Sequence, residues 1–191
     1  MSEGRSRILE RLAAWHAQID GAAGKRSRAL GDHWRCAPGC SDCCRDGLTV
    51  YSVEALRICV DFAGHFENWE PHPPGKCALL DDRGLCRVYA SRPYVCRTQG
   101  LALGWIEEGP EGLVEWRDIC PINEKGLRVE ALPAEALWRI GPAEGKLVEI
   151  ERRWDPAAER VALRALFDSR LRQRLLGTAG SGPGEEEAGG A

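Results

Sequence analysis

Four thiols fall within nine positions, at Cys36, Cys40, Cys43 and Cys44, and four more follow at Cys77, Cys86, Cys96 and Cys120. Soft thiolates gathered at this density suit zinc, iron or an iron–sulfur core. In Cys36-Ala-Pro-Gly-Cys40-Ser-Asp-Cys43-Cys44, the residues Pro38, Gly39 and Asp42 supply tight turns that let successive thiolates converge. Zn–S bonds of about 2.3 Å need ligand sulfurs within roughly 4 Å of one another, and short loops meet that condition at low entropic cost. Cys43 and Cys44 are adjacent, and adjacent side chains in an extended segment point to opposite sides. They are expected to serve different metals or to bridge two. Eight thiols then divide into two four-thiolate zinc sites, or into one iron–sulfur cluster and a second metal.

Four thiolates around one divalent ion leave net negative charge, which nearby cations and backbone N–H groups must stabilise. Arg35, Arg45, Arg87 and Arg97 each adjoin a cysteine and are expected to serve the sulfurs. The ninth cysteine, Cys59, sits in Leu56-Arg57-Ile58-Cys59-Val60, where a small buried hydrophobe serves equally well. His33, His65 and His72 could replace a thiolate, but with eight cysteines none is needed. No Ser/His/Asp order or carboxylate pair stands out. Asp81 and Asp82 read as turn residues, and Glu107, Glu108 and Glu111 as solvated loop.

These thiols need elements to position them. The chain has 191 residues, 43% of them apolar and 29% charged, enough for one domain with a real core. A net charge of -3 gives no drive toward nucleic acid or anionic lipid. Arg5, Arg7, Glu10 and Arg11 interrupt any secretory h-region, and no later run reaches membrane-spanning length, so the expected location is the cytoplasm. Thiols stay reduced there, and an odd count of nine also favours metal ligation over disulfides.

Ile8, Leu12, Trp15 and Ile19 predict a helix over 3–20, followed by a connection over 21–31. Leu48 to Tyr51 read as a strand, and Ser52 as the cap of a helix carrying Val53, Leu56, Val60 and Phe62. Pro71, Pro73, Pro74 and Gly75 break regular structure. Two apolar arms around an Asp/Gly turn predict a hairpin that joins Cys77 to Cys86, and 101–106 with 113–116 predict a second hairpin delivering Cys120. Pro133 and Pro142 are placed to start short helices. Asp155-Pro156 is expected to open a last helix with Leu163, Phe167, Leu171 and Leu175 on one face and Arg160, Arg164, Arg170, Arg172 and Arg174 in solvent. The Gly/Ser/Glu-rich stretch from Gly177 cannot bury apolar area and reads as disordered.

The fold class expected is α+β: a helix-rich single domain with short β-hairpins and a cysteine-rich, loop-rich middle segment that binds metal. Residues 1–31 form a helix and connection, 32–122 the metal-binding core, 123–176 helices that pack on it, and 177–191 a tail.

The order Cys36-x3-Cys40-x2-Cys43-Cys44, then Cys77 through Asp81, Gly84, Cys86, Tyr89, Arg92-Pro93-Tyr-Val-Cys96-Arg97, and finally Cys120, resembles the YkgJ-type cysteine-cluster family. Its members are described as zinc- or iron-chelating proteins. The resemblance implies ligation by Cys36, Cys40, Cys43, Cys44, Cys77, Cys86, Cys96 and Cys120, with Arg92 and Arg97 as motif residues, and it hands over no reaction. Ala78 departs from the pattern, since many relatives carry proline there, which weakens a turn preference without removing a ligand.

The first functional expectation is a metal-binding module, zinc ranking ahead of iron, with a protein partner open and neither nucleic acid nor membrane expected. The alternative is an iron–sulfur enzyme for redox chemistry or methyl transfer. Cys36-x3-Cys40-x2-Cys43 has the spacing that holds the cluster in radical S-adenosylmethionine enzymes, and the cysteine-cluster family also resembles part of flagellin lysine methylases. Against it, the chain shows no repeated βα units and no nucleotide-binding glycine motif.

Overall fold

The computed structural model describes residues 4–177. The predicted first helix forms and runs further than its apolar stripe implies, as α1, Arg5–Ala29. Ile8, Leu12, Trp15, Ile19 and Ala23 are all buried along one face. Gly21 and Gly24 do not end it, although each costs about 1 kcal/mol in a helix interior. Arg26, one turn further on, donates to the Leu137 carbonyl at 3.2 Å and stacks over Trp138, so tertiary contacts hold the stretch expected to be a connection.

The expected strand is β1, Thr49–Tyr51, and it runs directly into α2, Ser52–Asp61. Ser52 does not cap this helix; its hydroxyl instead donates to Glu151 at 2.6 Å. The second oxygen of Glu151 accepts the Val53 N–H at 2.8 Å, so a carboxylate from a distant helix satisfies the N-terminus of α2. The two faces of α2 serve different cores. Val53 and Leu56 pack with the α1 stripe, whereas Ala55, Ile58 and Cys59 join Val50, Leu79, Leu80, Val88 and Leu166.

The middle segment contributes little regular structure. Residues 77–86 do not become paired strands: one bridge, Leu80 to Cys86, closes the turn. Asp81 organises it, accepting from the Arg83 and Leu85 amides at 2.9 and 2.7 Å. A single-turn helix, α3, Tyr94–Thr98, carries Cys96. The second predicted hairpin is present and longer than expected, β2 Leu103–Gly109 against β3 Gly112–Asp118, with Glu107 and Glu108 inside the strand and only Pro110 and Glu111 between the arms. Cys120 follows, capping the four-residue α4, Pro121–Glu124.

Pro133 precedes a 3-10 turn at Ala134–Ala136, and Pro142 lies in the first turn of α5, Ile140–Trp154, as expected. A short strand just before it, β4 Trp138–Arg139, pairs parallel to β2. The long last helix does not form. Arg160–Ala162 becomes β5 and pairs antiparallel with β1, a 3-10 turn covers Leu163–Phe167, and only Ser169–Gly177 is helical, as α6. Pairing with Thr49–Tyr51 overrides the helical spacing, yet Leu163 and Leu175 still reach the core shared with α2. The result is a helix-rich α+β domain with two small sheets, of two and three strands. The expected tail lies outside the described residues except for Gly177, which ends α6.

Candidate metal centre

The loops and α3 bring seven of the eight predicted ligand residues, Cys36, Cys40, Cys43, Cys44, Cys77, Cys86 and Cys96, to the wall of one cavity of about 660 Å³. The eighth, Cys120, lies near Cys36, close enough for its charge to oppose ionisation of that thiol. Cys59 is excluded, fully buried in the core behind α2. All nine cysteines are free thiols.

Mutual influence divides the eight. Burial pushes Cys36 up, and Cys120, Cys40 and Cys43 push it further. Burial also raises Cys96, and there the neighbouring thiols are Cys86, Cys77 and Cys43. Cys43 and Cys44 stand between the two sets. The Cys44 thiol donates to Cys43, which pulls Cys43 down to about 6 and drives Cys44 up, with Cys96 and Cys77 adding to the rise. Cys43 is therefore the sulfur readiest to carry charge. Burial raises Cys77 and Cys86 as well.

The local backbone explains the convergence. The Cys40 amide donates to Ala37 O and the Cys44 amide to Ser41 O, each at 3.0 Å, closing successive turns. The Cys77 amide then donates to Cys44 O at 2.9 Å, and Arg45 bridges Lys76, so the first and second cysteine loops run side by side. Gly100 closes the other side. Its φ is +87°, and a Cβ there would sit 2.5 Å from Cys36 Sγ.

The cations facing the thiols are mostly not the predicted ones. Arg87 donates to Glu70 O at 2.7 Å and lies over Trp69. Arg97 binds Asp20 and Ala90 O, Arg92 donates to the other Asp20 oxygen, and both arginines line the cavity. Arg97 Nε is the buried side-chain nitrogen or oxygen without a hydrogen-bond partner among the described residues. The charges that favour thiolates are Lys76 on Cys43, Arg92 on Cys86 and Arg164 on Cys77. Arg35 meets the site through its backbone, whose amide donates to Asn123 Oδ1 at 2.8 Å.

Asn123 and Arg164 are site residues the sequence reading missed. Asn123 is fully buried, and its Nδ2 donates to Gly100 O at 2.8 Å and to Cys36 Sγ at 3.5 Å. Arg164, expected in solvent, reaches Asp46 and the loop before Cys77. Arg160 and Arg172 are likewise engaged, on Thr49 and on Leu166 O. The histidines stay apart from the thiols: His33 contacts Lys125 O, His65 packs on Phe62 and Trp69, and His72 contacts Pro73 O.

Among the described residues, no three Cys, His, Asp or Glu side chains stand in a ready-made coordination group. Gathering four sulfurs on one ion therefore requires side-chain rotation within these loops. The donor set itself fits a soft or borderline metal, since half-buried thiols whose ionisation is resisted by desolvation and by each other gain most from a bound cation.

A helix-braced cavity walled by thiols defines a cysteine-cluster metal-binding class. Residues 35–121 match the family model CxxCxxCC, described as "Putative zinc- or iron-chelating domain". No curated protein and no solved structure matches the chain. No helix among the described residues is long and apolar enough to cross a membrane.

Proposed function

We propose that this protein binds zinc through eight thiolates, Cys36, Cys40, Cys43 and Cys120 on one ion and Cys44, Cys77, Cys86 and Cys96 on a second, the two sets meeting at Cys43 and Cys44. The observation that carries this reading is the gathering of seven of these cysteines on one cavity wall while Cys59 is held in the apolar core. Zinc is ranked ahead of iron because two shells of four thiolates suit it, and the acidic residue on the cavity wall, Asp20, is held by Arg92 and Arg97 and so is not offered as a ligand. A closed thiolate shell with no group left for chemistry suits a structural or storage role.

The metal would hold together a middle segment that has little secondary structure of its own. Structural zinc contributes on the order of 10 kcal/mol to folding in small domains. On this reading residues 32–122 are the metal-binding core, braced by 1–31 and 123–176, and the protein works in a reducing compartment such as the cytoplasm.

Purification without oxygen, followed by metal and sulfide analysis and a visible spectrum, tests the assignment. A colourless protein with about two zinc ions per chain is expected. A brown protein containing iron and acid-labile sulfide would replace zinc with an iron–sulfur cluster. A folded protein with no bound metal would overturn the reading altogether.

A further inference from the structure

We propose that Arg164 is a positioning residue for the thiol site, its guanidinium holding the loop that carries Cys43 and Cys44 and the loop that carries Cys77 at one fixed separation. The inference rests on the metal reading above. Arg164 lies outside the matched residues 35–121, so it ties the metal-binding segment to the C-terminal part of the chain.

Its Nε donates to both carboxylate oxygens of Asp46, at 2.8 and 3.1 Å. Nη1 donates to His72 O at 2.9 Å, and Nη2 reaches Lys76 O at 3.1 Å and Pro73 O at 3.4 Å. One side chain thus meets the first loop two residues beyond Cys44 and the second loop immediately before Cys77. Asp46 completes the join, its Oδ2 accepting the Gly75 amide at 3.3 Å.

The geometry needs arginine. Three carbonyl oxygens and a carboxylate converge on one point, where they would repel one another without a cation, and only a planar fork with several donors satisfies them together. Arg164 is itself fixed within the 3-10 turn Leu163–Phe167, between buried Leu163 and Leu166, and the Leu163 amide donates to Leu48 O at 2.9 Å. Both cysteine loops lack regular structure, so their separation depends on a few such contacts. Residues that orient metal ligands commonly change metal affinity by about 10–100-fold when removed.

The test uses the full chain with Arg164→Ala and Arg164→Lys, and Arg170→Ala as an exposed control. Zn²⁺ affinity is measured by competition with a chromogenic chelator, and amide hydrogen exchange is followed in the metal-free protein at Cys77 and at Ile150, which is buried away from the loops. Arg164→Ala should lower affinity roughly 10- to 100-fold and speed exchange at Cys77 while leaving Ile150 unchanged. Arg164→Lys should recover part of the affinity, since one ammonium can meet Asp46 but not three carbonyls as well. If Arg164→Ala fails to fold, Arg164→Lys decides on the same two readouts. Wild-type affinity together with wild-type exchange at Cys77 would overturn the proposal, as would equal acceleration at Ile150, which marks general loosening. If the wild-type protein takes up no Zn²⁺, the metal reading fails, and exchange at Cys77 alone supports or refutes the clamp.

Discussion

Gly100 presses its backbone against the Cys36 sulfur: a Cβ at that position would lie 2.5 Å from Sγ, 3.1 Å from Trp34 and 3.2 Å from Asn123 Nδ2. Two of the three neighbours are fixed in place. Asn123 is fully buried and hydrogen-bonded, and Trp34 packs against the core. The φ of +87° adds a conformational demand that side chains resist. Gly100→Ala should therefore displace Cys36 as well as strain the turn, costing about 1–3 kcal/mol in urea unfolding and lowering the zinc content toward one ion per chain. An alanine variant that keeps wild-type zinc would show that Cys36 is not a ligand.

Cys44 and Cys59 differ in what serine would do. Cys44→Ser removes a donor at the junction of the two thiol sets and should cost most of the bound metal. Cys59→Ser places a hydroxyl in a fully buried apolar pocket, where burial already pushes the thiol up to about 11. It should destabilise by about 1–3 kcal/mol while leaving metal content near wild type. Equal metal losses, read by elemental analysis of the purified variants, would count against this division of labour.

Asn123 invites a comparison of two substitutions. Asn123→Ala leaves the Arg35 amide and Gly100 carbonyl without their side-chain partner. Asn123→Asp can still accept from Arg35 but turns a charged oxygen toward the Gly100 carbonyl and Cys36 sulfur, both electron-rich. Aspartate should therefore weaken zinc binding more than alanine, although it is the closer match in shape. Chelator competition on the two variants checks the order, and aspartate binding as tightly as wild type would refute the assigned contacts.

What the sequence disclosed was mostly local. The spacing of Ile8, Leu12, Trp15 and Ile19 announces α1, and the apolar arms 101–106 and 113–116 announce β2 and β3, because each signal lies within one element or one hairpin. Cysteine spacing nominates donors in the same way. The misses are long-range. α1 continues past Gly21 because Arg26 finds Leu137 and Trp138, far along the chain. The spacing of Leu163, Phe167, Leu171 and Leu175 suggests one helix, but β1 takes Arg160–Ala162 as a partner and interrupts it. Asn123 meets the Arg35 amide across 88 positions, and Arg164 meets Asp46 across 118. Neither has any motif at its own position, so a reading based on residues adjoining the cysteines chose Arg35, Arg45, Arg87 and Arg97 instead.

Glu151 gives the protein a pH response separate from the thiols. It is fully buried at the N-terminus of α2, and desolvation raises its carboxyl from 4.5 to about 7, even though hydrogen bonds from Ser52 and Val53 favour the charged form. Below pH 4.5 the carboxyl is protonated in folded and unfolded chains alike, and its contribution to stability is fully present. As pH rises from 4.5 to 7 the unfolded chain ionises first, so stability falls by an amount on the order of 3 kcal/mol, then levels off once the folded carboxyl has ionised too. Glu151→Gln imitates the protonated form, its amide oxygen accepting from Val53 and its NH₂ donating to Ser52. The variant should match wild type near pH 4 and exceed it at pH 8 in urea midpoints measured on metal-free protein. A wild-type advantage at pH 8 would mean that the ionised carboxylate, acting on the helix terminus, outweighs the cost of its burial.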